Sequence, residues 1–163
     1  MILAVAFFEV VLAVHIAAIV IALGVTFAYP VMYAVGIKRE PRTMPGFHRI
    51  QDYVGKFVIS PFLALALLCG IYLASHLHQW STFYVQWGLA VIIVLGGLGG
   101  AYFAPRERKL GELADRDVAA SGDGDVNFSE EYTALRKQVE LVGYISSVLV
   151  LLTIYFMTVH TGA

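Results

Sequence analysis

Four long apolar stretches occupy about residues 10–35, 57–75, 83–104 and 141–160 of this 163-residue sequence. A bilayer core about 30 Å thick is crossed by about 20 apolar residues in a helix. Within lipid, only a helix satisfies all its backbone hydrogen bonds inside a single segment. The chain is 59% hydrophobic and 14% charged, whereas soluble domains average about 45–50% apolar and about 25% charged residues. The sequence therefore predicts one all-α domain over residues 1–163, a bundle of four transmembrane helices.

The basic residues are confined to the two connections that follow the first and third stretches. Five lie in residues 37–56 and six in residues 105–140, which together account for all eleven Lys and Arg residues. Basic loops stay on the cytoplasmic side of a membrane. The sequence thus predicts an up-down-up-down bundle in a bacterial inner membrane, with both termini outside and the connections 1–2 and 3–4 forming cytoplasmic loops. Residues 47–56 are expected to form an amphipathic lead-in to the second span, and Asn127 is expected to cap the last helix.

Four histidines and one glutamate are candidate ligands for a cofactor. His15 lies inside the first span, where an ionisable group is costly and is by default a functional-site candidate. His76, His78 and His160 are predicted at the outer rim, with Glu9 beside them. Imidazoles bind zinc, copper and haem iron, so the residues suggest a site for haem b or copper. The alternatives are a neutral His15 bonded to a carbonyl or serine, an interfacial Glu9, and no cofactor at all.

The third span contains the run Gly96-Gly97-Leu98-Gly99-Gly100. Gly96 and Gly100 form a G-x-x-x-G pattern, which lets helices approach closely. The pattern favours tight packing within the bundle, and its alternatives are a homodimer face or close contact with a cofactor. A net charge of -1 gives no field that would favour nucleic acid.

Three stretches of the chain resemble a known family. They are Val14-His15-Ile16-Ala17, Ser60-Pro61 through Gly70-Ile71-Tyr72-Leu73, and Phe156-Met157-Thr158-Val159. With them the chain resembles a bacterial family of predicted integral membrane proteins of unknown function, related to copper-resistance D-like proteins and to membrane-bound haem-binding protoporphyrinogen oxidases. The resemblance implies the four-helix fold over nearly the whole chain and a haem ligand at His15. In the oxidase branch a lysine early in helix three assists, where this sequence has Gln86-Trp87-Gly88.

These observations lead to one expected function and two alternatives. The expectation is a four-helix bundle that binds haem or a transition metal near its outer face, for electron transfer or cofactor handling, and it leaves open whether the chain is an enzyme. The first alternative is a non-catalytic accessory or assembly subunit of a larger membrane complex, or a homo-oligomer. A small transporter is the second alternative, and it ranks last because His15 is expected to be the only ionisable group buried in the core.

Overall fold

The computed structural model describes the backbone of residues 2–159 and the side chains of residues 7–159. Within these residues, seven α-helices join into four long helices. The first long helix is α1 (Ile2–Gly24), a 3₁₀ turn (Val25–Ala28) and α2 (Tyr29–Arg39). The second is a 3₁₀ turn (Pro41–Thr43), α3 (Met44–Val54), a π-helical turn (Gly55–Ile59) and α4 (Ser60–His76). The third is α5 (Phe83–Gly97), a π-helical turn (Leu98–Phe103) and α6 (Ala104–Ala120), and the fourth is α7 (Glu130–Val159).

Each of the four long helices is long and apolar enough to cross a membrane. The third has 38 residues and therefore extends about 57 Å at about 1.5 Å per residue, well beyond a hydrocarbon core of about 30 Å. The predicted all-α fold with four apolar helices is confirmed. The predicted loops at 37–56 and 105–140 are wrong in part, because most of both segments is helical. Their charged residues alternate with apolar ones at helical spacing, which favours an amphipathic helix.

A proline follows each of three irregular turns within the long helices, Val25–Ala28, Gly55–Ile59 and Leu98–Phe103. Proline has no N–H and its ring clashes with the carbonyl of the residue four positions earlier, so it distorts a helix locally. For Pro30, Pro61 and Pro105, that earlier residue lies inside the 3₁₀ turn or the π turn. The fourth long helix contains no proline and is regular from Glu130 to Val159. The position of each distortion therefore follows from the sequence.

Backbone groups displaced by these prolines find other partners within their own helices. In both π turns the residue before the proline donates its N–H to the carbonyl of a glycine five residues earlier, Ser60 to Gly55 and Ala104 to Gly99. The Ser60 hydroxyl also donates to the Gly55 carbonyl at 2.8 Å. Such local adjustments are how membrane helices tolerate proline.

The long helices pack as two antiparallel pairs. The ring of Phe7, near the start of α1, lies 5.4 Å from that of Tyr72, near the end of α4. Phe83, at the start of α5, lies 5.3 Å from Phe156, near the end of α7. Residues 77–82 connect α4 to α5 between the two pairs.

The largest buried side chains lie at one end of the bundle, which we call the basic end because it carries all eleven Lys and Arg residues. There α3 and α6 pack against the ends of α2 and α7. Met44 and Leu110 are fully buried, and Tyr132 is 1% exposed. Together with neighbouring residues they form one apolar cluster. This layer, built mainly from the segments between the apolar stretches, holds the largest fully buried side chains.

The start of α7 is capped by Ser129 and not by Asn127, so the predicted cap is wrong by two residues. The Ser129 hydroxyl accepts the N–H of Tyr132 at 3.3 Å. Asp117, near the end of α6, accepts both the N–H and the hydroxyl of Ser129 at 2.8 Å. A buried carboxylate on the preceding helix thus selects the capping residue.

His78 occupies a strained position at the opposite end of the bundle. Its φ is 56°, in the left-handed region where a non-glycine residue is unfavourable by about 1–2 kcal/mol. The N–H of His78 reaches the carbonyl of Ser75, and the N–H of Gln79 reaches that of Ala74. These two bonds form a Schellman motif, in which glycine is the favoured residue at the position of His78.

We expect His78→Gly to increase the free energy of unfolding by about 1 kcal/mol, because it relieves the left-handed strain. The matched control is His76→Gly, inside α4, which should lower the stability by up to about 1 kcal/mol. Thermal unfolding of both variants in detergent measures the difference. Equal destabilisation by the two substitutions would contradict the strain.

Candidate functional site

His15 lies between the first and second long helices. Its Nδ1 is 2.8 Å from the carbonyl oxygen of Ala66, and its ring packs against Gly70. This contact matches the alternative to a cofactor ligand, in which His15 is hydrogen-bonded to a backbone carbonyl. The His15 ring is hydrogen-bonded to a backbone carbonyl of α4, and the residue contributes to the packing of α1 against α4.

The structure does not bring His15 to His76 or His78. His76 lies six residues beyond Gly70, which corresponds to about 9 Å along α4, whereas two imidazole ligands of one metal ion lie within about 4 Å of each other. The His76 ring instead stacks on Tyr72, with centroids 5.8 Å apart. His78 follows in the turn beyond it. The residues present therefore do not fit a haem held between His15 and either of these histidines.

The remaining predicted ligands give no metal centre in the described part of the chain. Glu9 is exposed near the start of α1. His160 lies outside the described residues, so its proposed pairing is not tested. Among residues 7–159, no group of three or more His, Cys, Asp or Glu side chains is arranged to hold a metal ion.

A cavity of about 380 Å³ lies between the four long helices, next to the basic end. All four helices contribute to its wall, and all three proline-distorted turns line it. Most of the wall is apolar, from Leu23, Leu63, Leu95 and Val150. Pockets of about 300–1,000 Å³ with mostly apolar walls are typical of sites for small molecules.

Glycines leave the cavity open. Gly55, Gly96, Gly99, Gly100 and Gly143 all line it, and a Cβ added to any of them would have no neighbour within 4 Å. The tight helix packing predicted for Gly96 and Gly100 is therefore absent between the helices of this chain. At these positions the missing side chains create space.

Three buried polar atoms without hydrogen-bond partners belong to residues of this cavity wall. They are the Tyr29 hydroxyl, the Gln51 Oε1 and the Ser146 hydroxyl oxygen. They come from α2, α3 and α7, three different long helices. A buried polar group without a partner destabilises a protein by about 1–3 kcal/mol, so these three atoms on cavity-lining residues are candidate partners for a bound molecule.

A hydrogen-bonded network places a carboxylate in the cavity wall. Glu107 on α6 is 6% exposed, and its Oε1 accepts the Tyr33 hydroxyl at 3.1 Å. Its Oε2 is 2.7 Å from Nδ1 of the fully buried His48. On the other side of that ring, Nε2 is 3.0 Å from the Tyr132 hydroxyl. The network therefore joins α2, α3, α6 and α7 through side chains at the basic end.

The other charged groups of the wall, which include Lys56, are more exposed, and the two carboxylates among them are paired with arginines. Arg108 donates to Asp52 at 3.1 Å, and their side chains are 60% and 23% exposed. Glu140 pairs with Arg136 on α7. The Lys56 ammonium lies 5.4 Å from the centre of the Phe57 ring, which is outside the cavity wall. Negative charge thus lies deepest in the wall, and the positive groups lie further out.

Neither His48 nor Glu107 was predicted as a site residue, and the prediction that His15 is the only ionisable group buried in the core is wrong. The available signal was helical spacing. Met44, His48 and Gln51 lie four and three residues apart on α3, on one buried face. Glu107 likewise lies three residues before Leu110 on the buried face of α6. Polar residues at core positions of amphipathic helices would have marked this network.

Comparisons with protein-family models, with curated proteins and with solved structures found no match.

We expect His48→Leu to lower the free energy of unfolding by about 3 kcal/mol, because it leaves the buried Glu107 carboxylate without one of its donors. Arg49→Ala on the same helix is the control, since Arg49 pairs with Asp115 at the exposed surface and its loss should change stability by less than about 1 kcal/mol. Denaturation in detergent compares the two. Similar losses of unfolding free energy in the two variants would show that the network contributes little to stability.

Proposed function

We propose that this chain is an integral membrane protein that binds an amphipathic small molecule between its four long helices. The observation that carries the proposal is the set of three unpartnered polar atoms in the wall of one largely apolar cavity. An apolar body would occupy the glycine-lined part, and a polar group would lie near Tyr29, Gln51 and Glu107. Binding would then satisfy groups that otherwise destabilise the fold.

We further propose that the basic end lies in the cytosol of a bacterial cell and that both termini lie outside, in an up-down-up-down bundle. The distribution of the eleven basic residues supports this orientation. The cavity would then lie in the cytosolic half of the membrane. Its apolar wall would be at the depth of the lipid chains, and its charged wall at the inner interface.

Haem or metal binding by the histidines has weaker support than the binding of an amphipathic molecule in this cavity. His15 is bonded to the Ala66 carbonyl, and the cavity wall contains no His, Cys or Met among the described residues. A site that combines His76 or His78 with His160 stays a prediction. The accessory-subunit and homo-oligomer alternatives also stay predictions, and an observation that favours either would have to come from a second chain.

The orientation can be tested with single cysteines, because Cys69 is the one native cysteine. In a Cys69→Ala background, Ser81→Cys lies in the connection between α4 and α5, and Asp123→Cys lies between α6 and α7. A membrane-impermeant maleimide added to intact cells should label position 81 and should label position 123 only after lysis. The reverse labelling pattern would show that the bundle has the opposite orientation in the membrane.

The cavity can be tested by filling it. We expect Gly96→Leu and Gly143→Leu to reduce cavity crosslinking of a benzophenone-alkyl alcohol by about tenfold or more, since added bulk excludes a ligand from an apolar pocket. The protein is held in phosphatidylcholine nanodiscs, and crosslinked peptides are mapped by mass spectrometry. Gly97→Leu is the matched control, because Gly97 also has open space around it but does not line the cavity. Equal crosslinking in all three variants would mean that the probe does not bind there.

A further inference from the structure

We infer that the amphipathic ligand carries a cationic head, such as an organic ammonium group, and that the Glu107 carboxylate is its counter-charge. This inference rests on the proposed function, since it concerns the same cavity, but it adds the chemical class of the ligand. It depends on the charges and hydrogen bonds of the wall and not on the cavity volume.

Glu107 is a carboxylate that has no Lys or Arg partner among the described residues. Its contacts are the Tyr33 hydroxyl and the His48 ring. A neutral imidazole with its one proton on Nδ1 satisfies both contacts of the ring, because Nδ1–H then donates to Glu107 and the Tyr132 hydroxyl donates to Nε2. A protonated ring would instead form an ion pair with Glu107. With the neutral ring the carboxylate is hydrogen-bonded, but its charge is not neutralised by a cation among the described residues.

A buried charge without a counter-charge is strongly unfavourable. Glu107 is 6% exposed and faces the cavity. The other two carboxylates of the wall already have guanidinium partners, Asp52 with Arg108 and Glu140 with Arg136. A ligand cation is the group that would complete the third pair. A carboxylate also has lone pairs beyond those used by its two donors, so it can accept further N–H groups.

Gln51 gives a second, independent indication. Its side chain lines the cavity, the residue is 6% exposed, and its Oε1 has no donor. An ammonium head supplies up to three N–H donors, enough for Glu107 and for an unpartnered oxygen beside it. An anionic head would instead add negative charge to the most deeply buried part of the wall.

The apolar remainder of the wall favours an organic cation over a bare metal ion. Divalent metal ions prefer several oxygen, nitrogen or thiolate ligands at short range, and no such group of three is present among the described residues. A hydrophobic body with one positive head matches a wall that is apolar on most of its surface and whose most deeply buried charged group is the Glu107 carboxylate.

The test uses three photo-crosslinking probes with one benzophenone-alkyl body and different heads: a primary amine, an alcohol and a carboxylate. Neutral phosphatidylcholine nanodiscs containing the full chain remove any bias from lipid charge. We expect the amine to crosslink to the cavity about tenfold more efficiently than the carboxylate, with the alcohol between them, because the wall favours the positive head.

Glu107→Gln should reduce this preference for the amine to about threefold or less while leaving the alcohol bound, because it removes the charge but keeps an oxygen acceptor. Glu112→Gln is the control, since Glu112 is exposed on the same helix and lies outside the cavity wall. If Glu107→Gln fails to fold, the head preference of the unchanged protein still decides the inference.

Equal crosslinking by the amine and the carboxylate in the cavity would overturn the cationic head but leave the proposed function standing, since a ligand would still bind there. Persistence of the amine preference in folded Glu107→Gln would overturn the role of Glu107. If none of the three probes reaches the cavity, the proposed function fails together with this inference.

Discussion

Every backbone amide inside a bilayer must find its hydrogen-bond partner within the protein, because lipid offers none. Three of the four long helices meet this requirement imperfectly, since Pro30, Pro61 and Pro105 each remove one donor. The resulting 3₁₀ and π turns lie at one level of the bundle, and all of them line the cavity. The regular α7 completes the wall. Single-turn π distortions are frequent at functional sites, and here they line a cavity between the helices.

Packing differs between the two parts of the bundle. Among the apolar parts of the helices, fully buried residues are small, such as Ala18, Ala22 and Ala66, and close approach of helix backbones is the source of stability there. At the basic end, large side chains such as Met44 and Tyr132 are buried, as in a water-soluble core. The cavity lies where one kind of packing gives way to the other. A site at this boundary can offer apolar walls and buried charged groups to the same ligand.

Much of the helical architecture could be predicted from the sequence, but the candidate site could not. Apolar length is a local property, so the four apolar helices were found, and residues 47–56 were correctly expected to be helical. His48 and Glu107 are 59 residues apart and form a pair only through the packing of α3 against α6. The same limit explains His15, whose partner Ala66 lies 51 residues away. Gly96 and Gly100 fit a packing pattern, and only the tertiary structure places them beside open space.

The π turns also fix the rotational phase between the two parts of each helix. In a regular α-helix each residue turns the chain by about 100°, whereas a bond to the fifth preceding residue accommodates one additional residue in the turn. The residues beyond Gly99 on the third long helix, including Glu107, are therefore displaced by about one residue from the positions that a continuous α-helix extending from α5 would give them. A regular α-helix over the same residues would leave both helical parts intact but rotate one against the other by about 100°. The carboxylate would then point along a different direction from the small residues that now share its cavity.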